Sequence, residues 1–173
     1  NITNCSAVDG GALFLDGGTA WVSGSTIGTC TAVSAGANAR AGAVYVGSGS
    51  VLVTDSTISG CIATSRSAQG TAAAYGGAIF VEAGSATVRS SAIDGCAAAA
   101  VGGNRARAGA LFVSSASAQV IVSGSTIRGC TAASSANKAR SQGGAVFVDY
   151  GLVSMSNSNI SGCSSTRSST GNV

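Results

Sequence analysis

One sequence unit recurs five times along the chain, and this repetition restricts the fold more than any other feature. A segment of the form S-x-I-x-x-C alternates with a Gly-Ala pair that is followed by an aliphatic, an aromatic and a second aliphatic residue. The first segment begins at Ser25, Ser56, Ser91, Ser125 and Ser158, and the second begins at Gly11, Gly42, Gly77, Gly109 and Gly144. Short units that cannot bury their own apolar faces must stack on one another, so the chain is predicted to be a solenoid.

The apolar residues within each unit alternate with the period of a β-strand. The positions three and five residues before the Ser of S-x-I-x-x-C are apolar in every copy, whereas the position two before it is polar. This period of two predicts a strand with one face in the interior. The Ile of the same segment is present in every copy and is predicted to continue the interior after a bend: Ile27, Ile58, Ile93, Ile127 and Ile160.

The cysteine spacings give the length of one coil. Successive intervals from Cys30 onward are 31, 35, 34 and 33 residues. We therefore predict an all-β chain that forms a right-handed parallel β-helix (solenoid) of about five coils, with three short strands per coil. One irregular loop rich in Ala, Ser and Gly is expected in each coil, at residues 31–41, 62–76, 97–108 and 131–143. Residues 1–173 are expected to be a single β-helix domain or a segment of a longer β-helix array.

The two alternating segments also carry a family resemblance. The sequence G-G-A stands at Gly10–Ala12, Gly76–Ala78 and Gly143–Ala145. In this respect the chain resembles the chlamydial polymorphic outer-membrane proteins, with their GGAI and FxxN repeats, and the β-helices of autotransporter passengers. The FxxN segment of that family corresponds here to I-x-x-C, in which Ile replaces the aromatic residue and Cys replaces Asn. The resemblance implies display on a cell surface and adhesion.

Composition excludes several classes of function. The chain has no histidine, the commonest general base and metal ligand, so we expect a non-enzymatic protein without metal or cofactor. A net charge of +3 with 9% charged residues does not favour a nucleic-acid partner, and no apolar run is long enough to predict membrane insertion. Three of the six acidic residues, Asp16, Glu82 and Asp149, share a column in alternate coils, about 10 Å apart. That separation suits neither a calcium site nor a retaining pair of carboxylates, so they are interpreted as solvated turn residues.

Six cysteines form the most reactive column of the repeat: Cys5, Cys30, Cys61, Cys96, Cys130 and Cys163. Stacked coils would place neighbouring Cα atoms about 4.8 Å apart, which permits disulfides between adjacent members in three pairs. A buried ladder of free thiols fits the same sequence equally well. The even number of cysteines, together with N-glycosylation sequons at Asn1, Asn4 and Asn159, predicts a secreted or cell-surface protein.

Two further columns are candidates for partner binding. The aromatic residue of each repeat stands between two aliphatic residues of the same strand. Alternate side chains of a strand face opposite ways, so either the aromatic column or the two aliphatic columns must lie outside the core. The loops consist largely of Ala and Gly, which are too small to bury this column, and we therefore expect a partner surface over Phe14, Tyr45, Phe80, Phe112 and Phe147. In the loops, Arg40, Arg107 and Arg140 end similar motifs and are expected to share a column with Arg66 and Arg167. Such a positive edge would suit acidic glycans or acidic proteins.

These observations favour a structural or adhesive extracellular β-helix that is part of a larger cell-surface or filamentous assembly. Its partners would be other protein subunits or further coils of the same array. A carbohydrate-binding or polysaccharide-cleaving β-helix is the first alternative. The second is an ice-binding solenoid, suggested by Thr26, Thr57 and Thr126 in one column, which Ala92 and Asn159 interrupt.

Overall fold

The computed structural model describes residues 1–67, 72–102, 105–135 and 139–168, and within these ranges the chain forms strands and no helix. All strand pairs are parallel, and each strand pairs with its equivalents in the adjacent turns, on both sides within a sheet and on one side at its ends. The predicted parallel β-helix is therefore confirmed. In the described residues four turns carry the complete set of strands and are flanked by partial turns, compared with the five coils predicted.

The strands belong to four sheets, which we name after their typical residues. The isoleucine sheet contains Ile2–Thr3, Thr26–Gly28, Thr57–Ser59, Ala92–Asp94, Thr126–Arg128 and Asn159–Ser161. The alanine sheet contains Ser6–Ala7, Thr31–Ala35, Ile62–Arg66, Ala97–Val101, Thr131–Ser134 and Ser164–Arg167. The arginine sheet contains Ala39–Arg40, Ala73–Tyr75, Arg105–Arg107 and Arg140–Gln142. The aromatic sheet contains Leu13–Ser23, Val44–Thr54, Ile79–Val81, Ser85–Arg89, Leu111–Val113, Gln119–Ser123, Val146–Val148 and Leu152–Ser156.

The register of the sheets follows the sequence columns. Ile93 pairs with Ile58 on one side and with Ile127 on the other, as the repeat predicts. These three side chains are almost completely buried, and they pack with the valines and leucines of the aromatic sheet in one continuous core. Because each position meets the same residue type one turn away, the core is a set of aliphatic ladders parallel to the helix axis.

A column of serines closes the interior beside the isoleucine sheet. The backbone N–H of Ser56 donates to Oγ of Ser91 at 3.2 Å, and the N–H of Ser91 donates to Oγ of Ser125 at 3.1 Å. Each hydroxyl in turn donates to the carbonyl oxygen two residues earlier in the chain. The buried hydroxyls therefore have partners within the ladder, which removes the cost of burying them.

Each turn bends at corners where one residue adopts a left-handed backbone conformation. The corner before the isoleucine sheet uses Asp55 and Ser90 (φ 49° and 47°), whereas the corner after it uses Gly60 and Gly95. Gly has no Cβ to clash in this region, and Asp tolerates it better than most residues. The small polar residues that separate the strands in the sequence are therefore the residues that turn the chain.

The segments that the sequence predicted as irregular loops form regular strands over most of their described residues, and residues 68–71, 103–104 and 136–138 of these segments lie outside the described ranges. In each complete turn the chain continues from the isoleucine sheet into the alanine sheet and then into the arginine sheet. A turn therefore contains five strands and not three, except in the first complete turn, where Val44–Thr54 is one continuous strand and the total is four. The two sheets pack against each other through buried Ala98, Ala106 and Ala132 and, in an earlier turn, Ala39 and Ala63. Small side chains allow these sheets to approach closely, and we call the resulting projection the fin.

Candidate binding groove

The arginine sheet meets the aromatic sheet at a concave corner. The residue two positions before each Gly-Ala pair lies on the outer side of the arginine sheet, in the order Asp9, Arg40, Tyr75, Arg107 and Gln142. Residue 106, between Arg105 and Arg107, points into the fin, because alternate side chains in a strand face opposite ways. Arg40, Tyr75 and Arg107 are therefore presented to the aromatic sheet, one turn apart from each other.

The aromatic residues of the aromatic sheet form one continuous stack on its outer face. Ring centroids are separated by 4.7 Å between Phe14 and Tyr45, 5.4 Å between Tyr45 and Phe80, 5.0 Å between Phe80 and Phe112, and 5.7 Å between Phe112 and Phe147. The planes of neighbouring rings differ by 12° or less. The flanking aliphatic residues point into the core, so the structure selects the arrangement in which the aromatic column lies outside it.

The fin covers most of this stack, so the expectation that the loops are too small to bury it is wrong. Phe80 and Phe112 are each only 3% exposed, because Tyr75 lies over both rings and Ala41 and Ala108 pack beside them. Phe14, at the end of the stack, is 54% exposed. The Ala and Gly content of these segments is a poor guide to what they cover, because most of the cover comes from the side chains of Tyr75, Arg40 and Arg107.

Each arginine of the corner is paired with a carboxylate that directly follows a strand of the aromatic sheet. Nη1 of Arg107 lies 3.1 Å from Oδ2 of Asp149, and its Nε donates to Oε1 of Gln142 at 3.2 Å. Nη1 of Arg40 lies 3.6 Å from Oε2 of Glu82. Glu82 and Asp149 were interpreted as solvated turn residues, but both belong to these ion pairs.

The guanidinium groups also lie against aromatic rings. Cζ of Arg107 is 4.9 Å from the ring centroid of Phe147, and Cζ of Arg40 is 5.9 Å from those of Tyr45 and Phe80. Both distances are within the range of cation–π attraction. Arg107 is the more enclosed of the two, with only 12% of its side chain exposed.

The environment of Tyr45 shows how closely these groups interact. Its hydroxyl donates to Oε2 of Glu82 and accepts a hydrogen bond of 3.3 Å from Nη1 of Arg40. Burial, followed by the hydrogen bond to Glu82, raises the pKa of Tyr45 to about 12. Burial likewise raises the pKa of Asp9, although the charge of Arg40 opposes this effect. Oδ1 of Asp9 is buried without a hydrogen-bond partner in the part of the chain that the structure describes.

These side chains enclose a cleft of about 180 Å³, which we call the corner groove. It is lined by Asn38, Arg40, Tyr75, Phe80, Glu82, Arg107, Phe112, Ser114 and Asp149. Two ion pairs, an amide, a hydroxyl and the ring of Tyr75 are thus brought to one concave surface. The groove can offer hydrogen-bond donors and acceptors side by side, together with apolar surface.

The predicted column of arginines is wrong in its membership. Arg107 pairs in register with Gln142, whereas Arg140 pairs with Arg105, two residues further from the corner. Arg66 and Arg167 belong to the alanine sheet, where they occupy two different columns, because Arg66 pairs with Val101 whereas Arg167 pairs with Ser134. The motifs that suggested the alignment include Asn104, Asn137 and Lys138, which lie outside the described residues. The loops differ in length, so matching motifs within them gave the wrong register.

The cysteines form a ladder of free thiols rather than disulfides. Cys30, Cys61, Cys96 and Cys130 are buried, and Cys5 and Cys163 at the two ends are half-buried. Burial raises the pKa of Cys30 to about 11. Hydrogen bonds with the Cys130 and Cys61 side chains, reinforced by burial, raise the pKa of Cys96. Hydrogen bonds with the Cys96 side chain lower the pKa of Cys61 and of Cys130 to about 7, although burial opposes this effect. All four inner thiols are buried, so they behave as small packed groups of the core that reagents in solution do not reach.

The other sequence candidates lie on the surface. Asn1, Asn4 and Asn159 are all exposed, and Oδ1 of Asn4 accepts a hydrogen bond of 2.7 Å from Thr29. Thr26, Thr57 and Thr126 lie in one column of the isoleucine sheet, which Ala92 and Asn159 interrupt as predicted. In the same sheet Arg128 forms an ion pair with Asp94 at 2.9 Å, on the exposed side.

Within residues 1–67, 72–102, 105–135 and 139–168, no three His, Cys, Asp or Glu side chains lie close enough together to hold a metal ion. The same residues contain no helix that is long and apolar enough to cross a membrane.

Sequence reasoning missed Tyr75, Gln142 and Asn38 as members of the corner. Counting back two residues from each Gly-Ala pair would have found the first two, because the left-handed residue and the Gly-Ala pair fix the register at this point. Asn38 follows no such column, and its position depends on how the fin folds. Its Oδ1 accepts a hydrogen bond of 3.0 Å from the N–H of Ala73 in the next turn.

Comparison of the chain with models of protein families, with characterised proteins and with solved structures finds no match.

Proposed function

We propose that the protein is a non-enzymatic adhesive β-helix that works outside the cell as part of a larger surface or filamentous assembly. The observation that carries the proposal is the corner groove, in which two ion pairs and Tyr75 line a concave surface along the side of a regular rod. Loops and concave surfaces of solenoids are the usual places for partner contacts. The aliphatic ladders beneath the groove hold it in place.

The state of the carboxylates supports binding rather than catalysis. Glu82 and Asp149 are each engaged by an arginine, and they lie two turns apart, or about 10 Å along the axis. Hydrolysis of a glycosidic bond with retention requires two carboxyl groups about 5 to 5.5 Å apart. The extracellular location is supported by the three exposed sequons, and burial of the inner thiols would protect them from oxidation there.

An adhesion assay tests this proposal. The chain is displayed on non-adherent yeast cells, and attachment is measured on surfaces coated with polysaccharides or with extracellular proteins. The double variant Arg107→Ala with Asp149→Ala should reduce attachment. The matched control, Arg105→Ala with Arg140→Ala, changes exposed arginines outside the groove and should leave attachment unchanged.

Two outcomes would contradict the proposal. One is the absence of attachment by the unmodified chain to any coated surface. The other is release of new reducing ends when the purified protein is incubated with the same polysaccharides, because turnover would identify an enzyme. Secretion from a eukaryotic host, followed by intact-mass measurement before and after removal of N-glycans, tests the extracellular assignment separately.

A further inference from the structure

The corner groove is balanced in charge, although the sequence predicted a positive edge at this place. Arg40 faces Glu82, and Arg107 faces Asp149, so that each cation already has its counter-ion. An acidic ligand would have to compete with these carboxylates for the guanidinium groups. It would also approach two negative charges at close range, which disfavours its binding.

A hydroxyl-rich neutral ligand fits the same groups without this conflict. Each hydroxyl can donate one hydrogen bond and accept others, and a guanidinium beside a carboxylate supplies donors and acceptors at neighbouring positions. Asn38 and Ser114 add groups of both kinds on the walls of the groove. Hydrogen bonds to charged groups are stronger than those between neutral partners, so two ion pairs can hold a neutral polyol.

The arrangement along the axis points to a chain of sugar rings. Arg40, Tyr75 and Arg107 occupy three successive turns, with the half-buried Tyr75 ring between the two ion pairs. The pairs are therefore about 10 Å apart, which is close to the length of a disaccharide unit in an extended chain. A cleft of about 180 Å³ holds one monosaccharide-sized group. The aromatic ring offers the apolar contact that the C–H face of a sugar requires.

We propose that the corner groove binds a neutral glycan that runs parallel to the helix axis, with its hydroxyl groups on the Arg40–Glu82 and Arg107–Asp149 pairs and a sugar face against Tyr75. This inference rests on the adhesive function proposed above, because it names the class of ligand for the same surface. It replaces the acidic glycan expected from the sequence with a neutral one.

Titration calorimetry with defined tetrasaccharides tests the inference. The probes are three neutral chains, cellotetraose, laminaritetraose and mannotetraose, and one acidic chain, tetragalacturonate. At least one neutral probe should bind the unmodified protein more tightly than the acidic probe does. Its affinity should change little between low and high salt, because no net charge is neutralised on binding.

The decisive variant carries Glu82→Gln and Asp149→Asn, which keep the shape of both side chains and remove their charge. It should weaken binding of the neutral probe about tenfold, since two charged acceptors are lost. If the groove selected acidic chains, the unmodified protein would already bind tetragalacturonate more tightly than any neutral probe. Arg105→Ala with Arg140→Ala is the matched control and should leave the affinity for the neutral probe unchanged.

Circular dichroism and thermal melting show whether the variant is folded, and chemical-shift mapping on the unmodified protein locates the bound sugar independently. Preference for tetragalacturonate, absence of binding by all three neutral probes, or shifts away from the groove would overturn the inference. If adhesion still depends on Arg107 and Asp149 while no neutral probe binds, the ligand class is wrong and the adhesive function stands.

Discussion

Replacement of Ile93 by Ala tests the stacked core directly. Ile93 is 1% exposed and lies between Ile58 and Ile127 in adjacent turns. The substitution removes three carbons, each worth about 0.8 kcal/mol on burial, which accounts for about 2.4 kcal/mol. The cavity left between two fixed neighbours adds to this loss, so we expect the free energy of unfolding to fall by about 3 to 4 kcal/mol.

The chain offers a matched control in the same column. Ile160 occupies the equivalent position in the last turn and is 43% exposed, because within the described residues no further turn packs over it. Ile160→Ala removes the same atoms from a half-open site and should cost only about 1 kcal/mol. Both values can be measured by urea titration followed by far-ultraviolet circular dichroism. Equal losses in the two variants, or a loss below about 1 kcal/mol for Ile93→Ala, would refute the stacked register.

Three further predictions follow from the corners, the thiols and Tyr45. Gly77→Ala should lower the free energy of unfolding by about 3 kcal/mol or prevent folding, because the added Cβ would overlap the backbone of Gly109 and Ala97. At Gly95 the added Cβ meets open space, so Gly95→Ala should cost only about 1 to 2 kcal/mol, which is the penalty for a φ of 59°. Urea titration measures both values. An alkylating reagent at pH 8 should label Cys5 and Cys163 before Cys96 in the folded protein, and equal rates by intact-mass analysis would show that the ladder is open to solvent. Because the pKa of Tyr45 is raised from its ordinary value of 10.0 to about 12, this group stabilises the folded state at pH values below about 10, and the contribution is lost as the pH rises from about 10 to about 12. Glu82→Gln should lower the pKa of Tyr45 in an ultraviolet absorbance titration. An unchanged titration curve would contradict the contact between Tyr45 and Glu82.

The parallel β-helix could be predicted from the sequence because the same residue types recur at equivalent positions of every repeat. The Ile column and the period-two valines specify which side chains face inward, and parallel stacking then follows because the same segments recur in the same order in every unit. The short polar segments between strands mark the corners, where Gly60, Asp55 and Ser90 take left-handed conformations. At these positions the residue type required by the local backbone is also the one required by the contacts between turns, so the sequence pattern predicts the structure.

The oxidation state of the cysteines and the burial of the aromatic stack depend on side-chain geometry that the sequence repeat does not specify. The cysteine column is equally compatible with paired and with free sulfurs, and in the folded turns all six cysteines are free thiols. Aliphatic residues flank the aromatic column on both sides, so alternation alone leaves two arrangements open. The packed core selects the one with the rings outside.

The solenoid, its core columns and the residues that turn the chain can be predicted from the sequence, because they arise from contacts between equivalent positions one repeat apart. The fin and the corner groove depend on tertiary packing that the repeat does not specify. Runs of Ala and Ser carry too little hydrophobic contrast to indicate a strand or its register, yet their small side chains let two sheets pack closely. That packing brings Tyr75, Arg40 and Arg107 over the aromatic stack and places each arginine beside a carboxylate from a different turn.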